Sequence, residues 1–185
     1  MMGGERVLET ERLRIRHFRE SDVYECWESW GQDASLGRYI VPYPMTDMQQ
    51  MKTLVQGFLS NTNAWVIEDK RIEKIVGYIA IDIPYKQLGI GEIGYVIGEK
   101  YQKQGYAYEA VHCMLEEYLM KQSMYMIEAK CNETNNASLK LLEKTGFHVD
   151  GRLRSRRVDL STGERNDLIV VSMTQDEFIH CNSWG

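Results

Sequence analysis

The sequence predicts one α/β domain with a mixed sheet, and three observations lead there. Apolar residues recur at helical spacing in some stretches and alternate in others, and the two patterns are interleaved along the chain. The alternating run Ile93, Tyr95, Ile97 ends in charged turn residues. The glycine-bearing Gln102-Lys103-Gln104-Gly105-Tyr106-Ala107 comes next, and a helical pattern then runs to about Lys121. No internal repeat, low-complexity segment or linker divides the chain, so residues 8–178 are expected to form a single domain. Residues 1–7 are expected to be disordered and 179–185 to be a C-terminal tail.

Each element has its own reason. From Arg12 the chain alternates strictly, with Leu13, Ile15 and His17 on one face and Arg14 and Arg16 on the other, as in a half-buried strand. Arg19-Glu20-Ser21-Asp22 offers a helix cap, and Val23, Cys26, Trp27 and Trp30 follow at helical spacing. Gly31–Met45 is irregular and apolar: either a pocket wall or lid, or simple packing under a loop. Thr46-Asp47 caps a helix whose stripe is Met48, Met51, Val55, Phe58 and Leu59. Strands are expected over 64–68 and 74–83, joined by the charged turn Asp69-Lys70-Arg71, and over 92–97. The helix over 106–121 turns Ala110, Met114, Leu115 and Tyr118 inward. A strand over 124–131, a helix over 137–145 closed by Gly146, and a hairpin through Ser161–Glu164 complete the domain, and Gln175–Gly185 reads as a short tail.

Composition excludes several classes. At 43% hydrophobic and 26% charged residues, the chain is ordinary for a globular protein. A net charge of −5 without a long basic run argues against direct nucleic-acid binding. The four cysteines and four histidines are dispersed, with no C-x-x-C pair and no zinc spacing, so no metal is expected and the thiols read as reduced. No apolar run approaches a membrane span and the N-terminus lacks a signal-peptide core, so the expected location is cytoplasmic, with no membrane partner.

The chemistry centres on the strand, loop and helix over 93–121. Such a loop turns several backbone N–H groups toward one point, and the helix dipole adds a positive end. Gly105 admits an anion without a Cβ in the way, and Ala107 nearly does. The loop has neither the Gly-x-x-x-x-Gly-Lys-Ser/Thr pattern nor the three glycines of a dinucleotide fingerprint.

Gln-x-x-Gly-x-Ala in this setting resembles the acyl-CoA pyrophosphate loop of the GNAT N-acetyltransferases. Three further landmarks resemble the ribosomal-protein N-terminal (RimJ/RimL-like) group of that superfamily: Glu9-Thr-Glu-Arg-Leu-Arg-Ile-Arg16, Glu92-Ile-Gly-Tyr95, and Asn135-x-x-Ser138 followed by Leu141-Leu-Glu-Lys-Thr-Gly-Phe147. The resemblance covers about Leu8–Phe178. It implies the GNAT fold: a mostly antiparallel central sheet, splayed at two parallel strands and flanked by helices. It also implies an enzyme that moves an acetyl group from acetyl-CoA to a primary amine by direct attack.

In that frame the pyrophosphate lies on the N–H groups of Gln102, Lys103, Gln104, Gly105, Tyr106, Ala107 and Tyr108, and Lys103 adds a point charge. The pantetheine arm pairs with backbone at Val96 and Ile97, and an N–H near Ile97 meets the negative charge developing on the thioester oxygen. Glu92 is the candidate proton acceptor, against the alternative of an exposed strand carboxylate or ion-pair partner. Ser138 is the candidate proton donor and Asn135 a pantetheine ligand, against the alternative that both simply cap a helix.

Two positions depart from the group. Where some relatives place a Glu on the strand after the Gly-Phe, this chain has Arg157, with Asp159 two residues on. Where many carry a Tyr in the preceding helix, it has Leu142. Arg152, Arg154 and Arg156 alternate and would share a face, to meet the CoA 3′-phosphate or an acidic acceptor, or else only solvent. The acceptor is a protein N-terminal amine or a small amine such as a polyamine, aminoglycoside or amino-acid conjugate. A CoA-binding module without turnover is the rival of another class. The oligomeric state stays open, with a homodimer among the options.

Overall fold

Eight strands order as β1–β2–β3–β4–β5–β6–β8–β7 in a computed structural model that describes residues 6–40 and 43–182. They are β1 (Val7–Glu9), β2 (Leu13–His17), β3 (Ala64–Asp69), β4 (Lys74–Tyr85), β5 (Ile90–Ile97), β6 (Met126–Asn132), β7 (His148–Val158) and β8 (Arg165–Thr174). The pairs β1–β2, β2–β3, β3–β4, β6–β8 and β7–β8 are antiparallel, whereas β5 and β6 run parallel. The helices are α1 (Val23–Cys26), α2 (Met48–Leu59), α3 (Tyr106–Leu115), α4 (Asn136–Thr145) and α5 (Gln175–Asn182). Among the described residues no helix is long and apolar enough to cross a membrane. Contacts divide the chain into two compact units.

The first unit holds the chain up to Ala80 together with Tyr95–Cys113. Leu13 and Ile15 are fully buried, as alternation demands, and His17 stacks on Trp65 with ring centroids 4.0 Å apart. The other face is not solvent-facing throughout, as alternation alone would have it. Arg16 is buried, and its Nη1 and Nη2 donate to both oxygens of Asp22 at 2.8 and 3.0 Å while Nε donates to Glu68 at 3.0 Å. Burial alone would lower the guanidinium, but these two carboxylates reverse that and hold it above its ordinary value. Asp22 is therefore an ion-pair partner as much as a helix-starting residue.

After α1 the chain continues as a π-helical turn over Trp27–Gly31. In the irregular stretch, Leu36, Tyr43 and Met45 are buried against Phe18, Cys26, Trp30, Met51 and Val55, which supports the packing alternative. Val41 and Pro42 lie outside the described residues. Asp47 Oδ1 accepts the Gln50 N–H at 3.0 Å to start α2, and Met51 and Val55 form its fully buried stripe. Met48 and Leu59 stay outside that stripe, 36% and 40% exposed.

The second unit holds Ile81–Gly94 with Met114–Gly185. Here the parallel ladder covers only Ile90–Glu92 against Met126–Glu128. After α3 a π-helical stretch, Glu116–Lys121, buries Tyr118 and Leu119. Asn135 caps α4, and Gly146 ends it with φ +100°, a left-handed conformation that suits glycine. β7 is broken twice, between Val149 and Gly151 and between Leu153 and Arg157.

Both chain ends differ from expectation. Val7 already belongs to β1, while Met1–Glu5 lie outside the described residues. The expected tail is a helix: α5 runs to Asn182, with Phe178 buried. Glu177 Oε2 starts it by accepting the Thr174 N–H at 2.8 Å, a short-range cap to which no apolar periodicity draws notice.

Candidate active site

In the first unit β5 runs out at Ile97, and Gly98 donates its N–H to the Val76 carbonyl at 3.0 Å. A 3₁₀ turn, Glu99–Tyr101, leads to the loop over 102–105. Lys103 and Gly105 both take the left-handed conformation, with φ +60° and +83°. Alternating left- and right-handed residues point successive N–H groups into one concavity, which is the geometry that backbone uses to hold an anion. For Lys103 that conformation carries strain, and strain of this kind collects at ligand sites. Among the described residues the N–H groups of Lys103, Gln104, Gly105, Tyr106 and Ala107 have no backbone acceptor.

One expected donor is lost: the Gln102 N–H already bonds to the Glu99 carbonyl at 3.2 Å. Its side chain turns back instead, donating to the Ile97 carbonyl at 3.0 Å, and so ties the loop to the strand that precedes it. Val96 and Ile97 are buried. Tyr106 contributes backbone alone to the concavity, because its ring is buried and its phenol donates to Asp69. Tyr108, half-buried, lies two residues further, its ring 6.3 Å from His112.

Behind the loop stand residues to which no sequence motif points. Asp69, fully buried, accepts from Arg71 Nε at 3.1 Å and Nη2 at 2.7 Å as well as from Tyr106. The Arg71 hydrogen bonds hold its carboxyl well below the usual carboxylate range against the opposing effect of burial, and Tyr106 adds to them. Glu109, one turn into α3, binds Arg12 and Thr10. Asp69-Lys70-Arg71 reads as a charged turn, and nothing local tells a turn aspartate from a buried one.

In the second unit Glu92 is half-buried and forms an ion pair with Lys130 through Oε2. Asn135 Oδ1 accepts the Ser138 N–H at 3.2 Å, so the capping function is present. The Cys131 thiol donates to the Asn132 and Asn135 carbonyls at 3.5 and 3.8 Å, and burial pushes it up, an effect that nearby Ser138 partly offsets. Next to them Asn132 Oδ1 accepts from the Thr134 N–H and hydroxyl, both at 2.9 Å, while its buried Nδ2 has no partner among the described residues. Leu142 is buried in α4. Asp159 is committed to the hairpin turn, accepting the Ser161 N–H at 2.8 Å.

The arginine row is not the simple alternation expected. Opposite one step of two residues on β8, β7 spends four, from Leu153 to Arg157, and Ser155 adopts φ +54°. Asp167 causes this by accepting the Ser155 N–H at 2.7 Å while also binding Arg152, which in turn reaches Glu133. Arg152 is thereby paired, and Arg154 and Arg156 lie within the bulge. Among the described residues no group of three His, Cys, Asp or Glu is placed to hold a metal.

Comparison with known proteins bears on this arrangement. The family model for the acetyltransferase (GNAT) domain matches residues 12–148. An uncharacterized N-acetyltransferase of Bacillus licheniformis, p20, is 27% identical over 177 residues, 93% of this chain and 98% of its own. The crystal structure of a GNAT-family acetyltransferase from Bacillus anthracis superposes with a TM-score of 0.82 at 22% identity, over 92% of this chain and 99% of that one. RimL, a ribosomal L7/L12 alpha-N-protein acetyltransferase solved with coenzyme A, gives 0.81 at 17% identity, over 93% and 99%. With most of its length matched by the family model, this chain is an acyltransferase belonging to the GNAT acetyltransferase family.

Proposed function

We propose that the enzyme transfers the acetyl group of acetyl-CoA to a protein N-terminal amine. The observation that carries the cosubstrate is the loop over 102–107: with Lys103 and Gly105 left-handed, a row of N–H groups at the start of α3 has no backbone acceptor among the described residues. Such a row fits a pyrophosphate, which needs many donors and no Cβ in the way. The three landmarks shared with the ribosomal-protein N-terminal group favour a peptide acceptor, as does the likeness to RimL.

Bound acetyl-CoA supplies an acyl carbon activated by its thioester. The chain supplies the rest. Backbone at Val96 and Ile97 receives the pantetheine arm, with Asn135 as a further ligand, and an N–H near Ile97 faces the thioester oxygen. Glu92 accepts the ammonium proton, directly or through water. Lys130 occupies Oε2, so Oε1 is the free oxygen for that transfer. Ser138 holds a proton at Oγ for the departing sulfur.

The test is release of CoA thiol from acetyl-CoA across a panel of N-terminal peptides, polyamines and aminoglycosides. Turnover with peptides alone is the expected result. Turnover with a polyamine or aminoglycoside alone overturns the acceptor and leaves the acetyl donor in place. Failure of CoA to bind overturns the donor as well.

A further inference from the structure

The lead-in to β2 reaches across to the first turn of α3. Glu109 Oε2 accepts from Arg12 Nε at 2.7 Å and Nη2 at 2.6 Å, while Oε1 accepts the Arg12 backbone N–H at 3.0 Å and the Thr10 hydroxyl. This is a forked, charge-assisted contact, which fixes orientation as well as distance. Burial raises the Glu109 carboxyl, but the hydrogen bonds from Thr10 and Arg12 outweigh it and hold the group below its ordinary value. Lys70 Nζ steadies the same segment by donating to the Thr10 carbonyl at 2.7 Å.

The remaining arm of the guanidinium is the informative one. Arg12 Nη1 donates to the Gln104 carbonyl at 2.9 Å. In a planar trans peptide the C=O and the following N–H point opposite ways. Holding the Gln104 carbonyl on Arg12 therefore drives the Gly105 N–H away from Arg12. The next peptide is fixed as well, because the Gly105 carbonyl accepts the Glu109 N–H at 3.1 Å, which sets the Tyr106 N–H. The guanidinium also lies 5.1 Å from the centre of the Tyr106 ring. Both flanking carbonyls are thus tied down, and the Gly105 and Tyr106 N–H groups, which have no backbone acceptor among the described residues, point away from those anchors.

We propose that Arg12 and Glu109 are positioning residues that aim the Gly105 and Tyr106 N–H groups at the pyrophosphate of acetyl-CoA. This rests on the reading of the loop as an acetyl-CoA site. Arg12 also neutralises a carboxylate that would otherwise sit one turn from the bound anion. Neither side chain touches the ligand in this scheme. Their effect is confined to the end of the cosubstrate that carries phosphate.

The experiment compares CoA with pantetheine, which has the same thiol arm without the pyrophosphate, by NMR titration that follows the Gly105 amide. In R12Q the dissociation constant of CoA rises about tenfold, the loss expected of one charge-assisted contact. Pantetheine binds as before, and CoA shifts the Gly105 signal less than in the parent. R12K, which keeps the charge but not the fork, recovers part of the affinity. E109Q reads the same contact from its other side should R12Q fail to fold.

Unchanged CoA affinity in these variants overturns the clamp. So does an equal loss for CoA and pantetheine, because that marks a disturbance of the whole fold. A parent protein that binds no CoA overturns the acetyl-CoA reading and the clamp with it. Binding by the parent and by the variants alike overturns the clamp alone.

Discussion

A Cβ added to Gly77 would lie 2.1 Å from the carbonyl oxygen of Val96. The backbones of β4 and β5 meet there beside a bulge in β4: Ile67 faces Gly77 and Glu68 faces Ile75, so Val76 is extra. G77A must push β5 aside just where it hands over to the loop. A loss of about 3 kcal/mol is expected on denaturant unfolding. A loss under about 1 kcal/mol would mean that β5 shifts freely.

Acid should unfold the protein partly through Asp69. Its carboxyl is held below the ordinary range by Arg71, against burial and with help from Tyr106, whereas in the unfolded chain it titrates near about 4. Its contribution to stability is therefore complete above the unfolded value and is lost as pH falls below it toward the folded one. D69N, though less stable at neutral pH, should show a flatter decline in unfolding free energy between about pH 5 and pH 2.5. Parallel curves for the two proteins would contradict the account.

For the proton acceptor, E92Q should lower kcat about 100-fold with little change in the KM for acetyl-CoA, the usual scale of a lost general base. K130M separates the base from its ion pair: it should leave the fold intact and change kcat rather than the KM for acetyl-CoA. An E92Q enzyme as fast as the parent would remove Glu92 from the mechanism.

Asn135 can be divided by two substitutions. N135A removes the cap and should cost about 1 kcal/mol of stability. N135D keeps an oxygen for the Ser138 N–H but loses the amide donors. Weaker CoA binding in N135D at unchanged stability would assign Asn135 to the pantetheine arm. Equal binding would leave it a cap only.

Much of this is legible in the residues. Helix starts are clear where an oxygen-bearing side chain precedes a periodic stripe, as at Asp47 and Asn135, because capping is a contact between near neighbours. The loop is legible for the same reason: Gly105 and its flanking strand and helix are contiguous. What is not legible is contact at long separation. Arg16 alternates like any exposed strand residue until Asp22 and Glu68 are seen around it. Glu109 looks like a solvated helix residue until Arg12, far away in the chain, closes on it. The bulge in β7 arises because Asp167 on the facing strand captures the Ser155 N–H, and no periodicity on β7 itself announces that.

That same bulge governs what the end of the sheet can do to other molecules. β7 is the last strand in the order, and its residues are exposed along nearly its whole length. A straight strand in that place would offer a row of free N–H and C=O groups as a template for any extended chain. With one break after Val149 and another after Leu153, the longest stretch in register is Gly151–Leu153. The edge offers an incoming strand few consecutive rungs, with Arg154 and Arg156 beside them.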